Sequence, residues 1–207
     1  MANKLCFIVC EYFKNEFTTV LEAEKITDIA VINFPAKCDH TQLVTDKIRK
    51  ILNDCENNCE QIHIFGGLCA TGLKDLLHDI DRYRLYNTDQ CFYLLAGKNI
   101  IDNYLRIGAH LLTPGILRHW RRYLEECGFD QQTAQSFFGE TTTKLVLLDT
   151  GVDKESLDNL KEFARFVNLP FETFPAGLDF LRLFLSKINV EWYLEKVKKS
   201  SITSLSI

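Results

Sequence analysis

Residues 62–77 read IHIFGGLCATGLKDLL. The apolar run at 62–65 suits a short buried strand. The pair Gly66-Gly67 punctuates it. Beyond the glycines, Leu73, Leu76 and Leu77 recur on one helical face, which predicts a helix over 70–78. Strand, glycine turn and helix in immediate succession make one βα unit. A chain built by repeating that unit folds as a parallel sheet covered by helices.

The unit does repeat. KLCFIV (4–9) is a strand run, followed by a helical pattern with Phe13, Phe17, Val20 and Leu21 on one face. DIAVINF (28–34) is the next strand, and Leu43, Val44, Ile48, Ile51 and Leu52 mark the next helix. QIHIF (61–65) and the short RLY (84–86) continue the series. QCFYLLAG then reads as helical, with Gly97 as its stop. AHLL (109–112) is extended. Thr113-Pro114 starts a helix, threonine as cap and proline in the first turn, that runs to Gly128. KLVLLD (144–149) is a buried strand, a helix follows with Leu157, Leu160, Phe163, Ala164 and Val167 inward, and FLRLFLSKI is the last substantial helix. The expected fold is α/β: a mostly parallel, doubly wound, Rossmann-like sheet with helices on both faces. Residues 1–197 read as one domain and 198–207 as a flexible polar tail.

Composition narrows the function. The net charge of −4 argues against a nucleic-acid partner. No apolar run is long enough for a membrane helix, and the first residues lack the plan of a signal peptide. A cytoplasmic protein is expected. G-x-G-x-x-G after the first strand and the nucleotide-binding G-x-x-x-x-G-K-[ST] are both missing from the sequence, so nothing supports a dinucleotide or nucleoside-triphosphate site.

The chain carries 8 cysteines. In a reducing compartment a disulfide framework is not expected, which leaves metal binding, thiol chemistry or burial. Cys10, Cys38, Cys69 and Cys91 each fall just past the carboxyl end of a strand, near a helix start. In a doubly wound sheet those four places share one edge, where ligands bind. Helix N-termini favour ionised thiols there. Thiolates select zinc, copper(I) or iron–sulfur chemistry. Four would close a structural zinc site, and three would leave a reactive position. The plain alternative is that small residues suit such junctions and cysteine is often buried.

The other candidates read as follows. Cys6 is a core residue. Cys55 and Cys59 lie at the opposite edge, in helix-end packing, and Cys127 is structural. His40, near Cys38, is a solvated residue or an alternative fourth ligand. His63 is a hydrogen-bonded core residue, and His119 lies on a solvated face. Glu16 is an exposed helix residue or one that orients a ligand. Asp149 caps the next helix.

Several blocks resemble an uncharacterised family, domain of unknown function 1638. Gly66-Gly67-Leu68-Cys69-Ala70-Thr71-Gly72 is similar to its Y-G-L-C-x-x-G pattern, with Gly66 in place of the aromatic. Asp89-Gln90-Cys91-Phe92 through Gly97 keeps the Cys-to-Gly spacing of H-D-C-I-x-x-x-L-G. LLTPGILRHW is similar to a T-P-G-W block, with Ile116 replacing the tryptophan, and LVLLDTG is a further match. Cys10 and Glu16 fit C-x-x-x-x-x-E, and Cys38 stands where the family has a histidine in L-H-N. The resemblance implies a role beside corrinoid-dependent methyltransferases in anaerobic one-carbon metabolism, with a corrinoid protein or methyltransferase as partner. The leading expectation is a soft-metal protein, zinc first, using Cys10, Cys38, Cys69 and Cys91. The alternatives are a metal-free thiol enzyme with Cys69 or Cys91 as nucleophile, and a module that binds a corrinoid or a methyltransferase. No D-x-H-x-x-G pattern is present for cobalt ligation by a histidine.

Overall fold

The computed structural model describes residues 4–55, 58–78 and 82–204. Its first half is a parallel sheet of β1 (Lys4–Cys10), β2 (Ile29–Phe34), β3 (Cys59–Gly66) and β4 (Tyr83–Asn87), in the order β2-β1-β3-β4. From β1 the chain steps to β2 on one side, then crosses back to place β3 on the other. Parallel crossovers are right-handed, so the reversal puts α1 (Lys14–Ala23) and α2 (Thr41–Cys55) on opposite faces. Strands enclosed in this way read as continuous apolar runs, which is why KLCFIV was recognisable as a strand.

The second half is also α/β and parallel, but it forms a sheet of its own. β5 (Ala109–Leu112), β6 (Lys144–Asp149) and β7 (Phe171–Pro175) lie in chain order. Their side chains alternate between two cores, as the strand period of two requires. Ala109, Leu111, Val146 and Leu148 join the core of the first half. Leu112, Leu145 and Leu147 face a second core with Leu117, Trp120, Phe138 and Phe163. That second core lies under α4 (Pro114–Arg118), α5 (Trp120–Glu126), α6 (Gln131–Thr141) and α7 (Ser156–Val167). Each sheet thus has helices packed against it, and the two halves share the larger core.

Local structure departs from the sequence reading at four places. The segment Leu68–His78 is wound as 3-10 turns, not an α-helix; Leu73 is buried as expected, while the side chains of Leu76 and Leu77 lie outside what is described. Gly97 does break the helix, with φ +70°, but helical turns resume after it, so α3 spans Tyr93–Arg106 around that kink. Only glycine adopts this conformation at no steric cost. Thr113 caps its helix as expected, its hydroxyl accepting from the Ile116 amide at 3.3 Å. That helix is interrupted at His119, whose φ of −121° is not helical. Finally, α8 (Asp179–Ser204) continues through most of the stretch read as a polar tail; residues 205–207 lie outside the described part. Leu181, Leu185, Ile188 and Trp192 seat α8 at helical spacing. Among the described residues, no helix is long and apolar enough to cross a membrane.

Candidate functional site

Strand order β2-β1-β3-β4 has its reversal between β1 and β3, and the crevice outside their carboxyl ends is where such sheets bind ligands. Cys10 is the last residue of β1 and opens a 3-10 turn at Glu11–Phe13. Cys69 follows β3, across the two glycines. Cys38 follows β2 and Cys91 follows β4. All four line one cavity of about 370 Å³, the small end of the usual ligand-site range. The sheet edge brings together four residues that come from four separate loops.

Glycines set the distances. A Cβ on Gly66 would stand 2.5 Å from that of Ala70, so the strand-to-turn corner closes only with glycine there. One on Gly67 would meet the Cys91 amide nitrogen at 3.4 Å, which shows how closely the Cys69 and Cys91 loops pack. The Thr88 amide donates to the Gly66 carbonyl at 3.2 Å and joins the same two loops. From the second half, Gly115 rests on the backbone of Tyr12 so tightly that any Cβ would collide with the Tyr12 carbonyl. The T-P-G helix start therefore braces the segment just after Cys10. It also sets Ile116 into the cavity wall, beside Ala109, His110 and Leu111 of β5.

The thiols are not equivalent. The Cys38 thiol donates a hydrogen bond to Cys69 and holds the Cys69 pKa down to about 7, against the opposing effect of burial. Backbone N–H groups at Gly67 and Cys69 add to the same effect. Cys38, as the donor of that bond, is pushed up, and burial adds to this. Burial pushes Cys91 up to about 12 and raises Cys10 as well. Ionisation was expected at all four from helix N-termini; at Cys10 and Cys91 desolvation outweighs it. As whole residues Cys38 is exposed and Cys91 half-buried, yet both thiols are desolvated. The sulfur turns into the cavity while the rest of the residue meets solvent. Of the four thiols only that of Cys69 is held below the ordinary range, while those of Cys10, Cys38 and Cys91 are pushed above it.

Chemically the donor set suits a soft metal. Geometrically it is not a closed shell: among the described residues no three of His, Cys, Asp and Glu stand where they could together hold a metal ion. The sulfurs share a cavity and would have to draw closer to share an ion.

Other sequence candidates fall elsewhere. His40 is exposed, 3.4 Å from Asp39, and does not line the cavity. Glu16 is not an exposed helix residue: it is 2% exposed, and its Oε1 accepts from the Thr150 hydroxyl at 3.2 Å. Asp149 caps its own turn, accepting from the Gly151 amide at 2.9 Å, and not the next helix. His119 is half-buried and stacks on Tyr12, because the break before α5 turns it inward. His63 is the hydrogen-bonded core residue expected, 3.0 Å from Tyr86 Oη and 3.0 Å from Gln61 Oε1; burial lowers its pKa to about 4. Cys6 and Cys59 are both buried but not free: they form a disulfide, with Cα atoms 5.9 Å apart. It joins β1 to β3 near their amino ends, away from the cavity. The cavity residues that sequence reasoning did not assign to the site include Tyr12, His110 and Tyr123. Only Tyr12, two places after Cys10, carried a signal that could have been read.

The chain belongs to the family described as protein of unknown function DUF1638, whose pattern matches residues 38–185. The matched span takes in Cys38, Cys69 and Cys91, and Cys10 precedes it. No curated protein and no solved structure matches the chain.

Proposed function

We propose that this cavity is a soft-metal site, zinc being the first candidate, with Cys10, Cys69 and Cys91 as ligands and Cys38 as the fourth. The observation that carries the reading is the delivery of four cysteines, by four loops, to one cavity at the strand-order reversal. Burial alone gives no reason for four separate cysteines to meet there. Burial now favours the protonated form of the other three thiols, and a bound cation would reverse this, since metal binding releases ligand protons. With three ligands engaged, the remaining position and the apolar walls would admit a small molecule. The cavity is too small to enclose a corrinoid, so a corrinoid protein or methyltransferase partner, which the family resemblance suggests, would engage the mouth. A role in corrinoid or methyl-transfer metabolism rests on that resemblance alone.

A second reading is favoured by one specific feature, the low pKa of Cys69: a metal-free thiol enzyme with Cys69 as nucleophile. Cys91, held near 12, is a poor choice for that role.

The test is metal content of protein purified without oxygen and without a metal-affinity tag, in wild type, Cys69→Ser, Cys91→Ser and the control Cys127→Ser. About one metal per chain, lost in the first two variants and kept in the control, supports the site. Metal-free wild type with selective alkylation of Cys69 at neutral pH overturns it in favour of the nucleophile.

A further inference from the structure

We infer that the outward face of α8 is where two copies of this chain pair, with their helices antiparallel about a two-fold axis at Val190. The inference is independent of the cavity and of the function proposed for it. α8 is apolar on two sides. Leu181, Leu185, Ile188 and Trp192 are buried in the core of the first half. On the far side Leu183 is 72% exposed, Val190 56% and Val197 62%, with Leu194 exposed beside them. A lone exposed leucine needs no explanation, but a helix that is apolar on both faces is one that is covered on both. From Leu183 to Val197 the stripe runs about 21 Å.

The spacing identifies the occupant. Leu183, Val190 and Val197 recur at intervals of seven, the repeat of a seam between two helices. The seam is symmetric about Val190, and a two-fold contact requires such a self-match. In an antiparallel pair centred there, Val190 meets itself and Leu183 comes level with Val197 of the second copy. Leu194 comes level with the small Ser186. The charges agree in the same register. Lys187 and Glu191 flank one side of the stripe, both exposed, 3.8 Å apart within the chain. The two-fold brings Glu191 of the second copy level with position 189, about 3 Å along the axis from Lys187 and on the same flank. Each lysine thereby gains a second carboxylate. A parallel pair would instead set Arg182 beside Lys187 of the second copy, cation against cation, by the offset of flanking positions in a parallel seam. A partner of different sequence would need neither the symmetric spacing nor this charge match.

The test is sedimentation of the full chain over a dilution series. A non-reducing gel on the same samples checks that the exposed Cys38 has not cross-linked the copies. One helix pair makes a small interface, so wild type should be dimeric when concentrated and dissociate on dilution. Val190→Glu sets two like charges together at the axis and should be monomeric throughout. Circular dichroism checks its fold, which a change at this exposed position does not threaten. Lys187→Glu and Glu191→Lys should each weaken the dimer roughly tenfold, because exposed ion pairs are lost twice per dimer. Both exchanges together should restore it. The inference is overturned if wild type stays monomeric up to about 1 mM, if Val190→Glu still dimerises, or if the double exchange stays as weak as either single one. A monomeric wild type that instead floats with phospholipid vesicles assigns the stripe to a lipid surface and equally overturns the pairing.

Discussion

The buried Oε1 of Glu16, on α1, accepts a hydrogen bond from the Thr150 hydroxyl at 3.2 Å, 134 residues away in the turn after β6. The contact fastens the first half of the chain to the second, next to the Arg118–Asp153 ion pair. Burial raises the Glu16 pKa above its ordinary value, more than the Thr150 bond and the Arg118 charge lower it. A raised carboxyl pKa means that the folded state holds the proton more tightly than the unfolded state. This contribution to stability is full below the unfolded value and is lost as pH rises through the folded one. Glu16→Gln keeps the acceptor for Thr150 and removes the charge. It should be more stable than wild type at neutral pH, with the difference vanishing in acid. Denaturant midpoints at several pH values check this, and a variant weaker at neutral pH would refute it.

Gly115 sets the spacing between the T-P-G helix start and the residues after Cys10. A methyl group there must displace the Tyr12 backbone. Gly115→Ala should therefore cost about 1–3 kcal/mol, as overpacking does. It should also alter the alkylation rate of Cys10 relative to wild type. Gly139→Ala, at a position where a Cβ meets nothing within 4 Å, serves as the control for both measurements.

Cys69 should alkylate with a rate that rises through pH about 7. Cys91 should stay slow until near pH 12. Removing the donor with Cys38→Ala should move the Cys69 midpoint up, toward an ordinary thiol, because burial is then opposed only by the backbone N–H groups. Iodoacetamide kinetics resolved by peptide mass give both curves. An unmoved Cys69 midpoint would mean that the backbone N–H groups alone hold its charge.

The Cys6–Cys59 bond closes a loop across a sequence separation of 53. Replacing both with alanine should lower stability by about 2–4 kcal/mol, mainly through the freer unfolded chain. The cavity lies at the other end of β1 and β3, so the Cys69 alkylation profile should not change. Thermal unfolding with and without reductant, set beside the double variant, separates the bond from the loss of buried sulfur.

Periodicity alone was enough to recognise the enclosed strands, because side chains buried on both faces leave an unbroken apolar run. KLCFIV, QIHIF and KLVLLD are all of this kind. FETFP gave no such signal: β7 pairs only with β6, and its residues alternate between exposed and half-buried. In α6 the buried residues are only Ala134 and Phe138, too few to mark a face. The position of the four cysteines was readable for the same reason as the strands. Each follows a strand, and in a parallel sheet all strand ends lie along one edge.

The sequence by itself determined the alternation of strands and helices, the α/β class and the edge that carries Cys10, Cys38, Cys69 and Cys91. These follow from local spacing, which neighbouring residues encode. Only the tertiary structure decided that the strands divide into two sheets, that Cys6 meets Cys59, that Glu16 is buried against Thr150, and that β5 and α5 close the cavity with His110 and Tyr123. Those relationships join segments tens of residues apart. They depend on strand order, register and crossover hand, which no local pattern records.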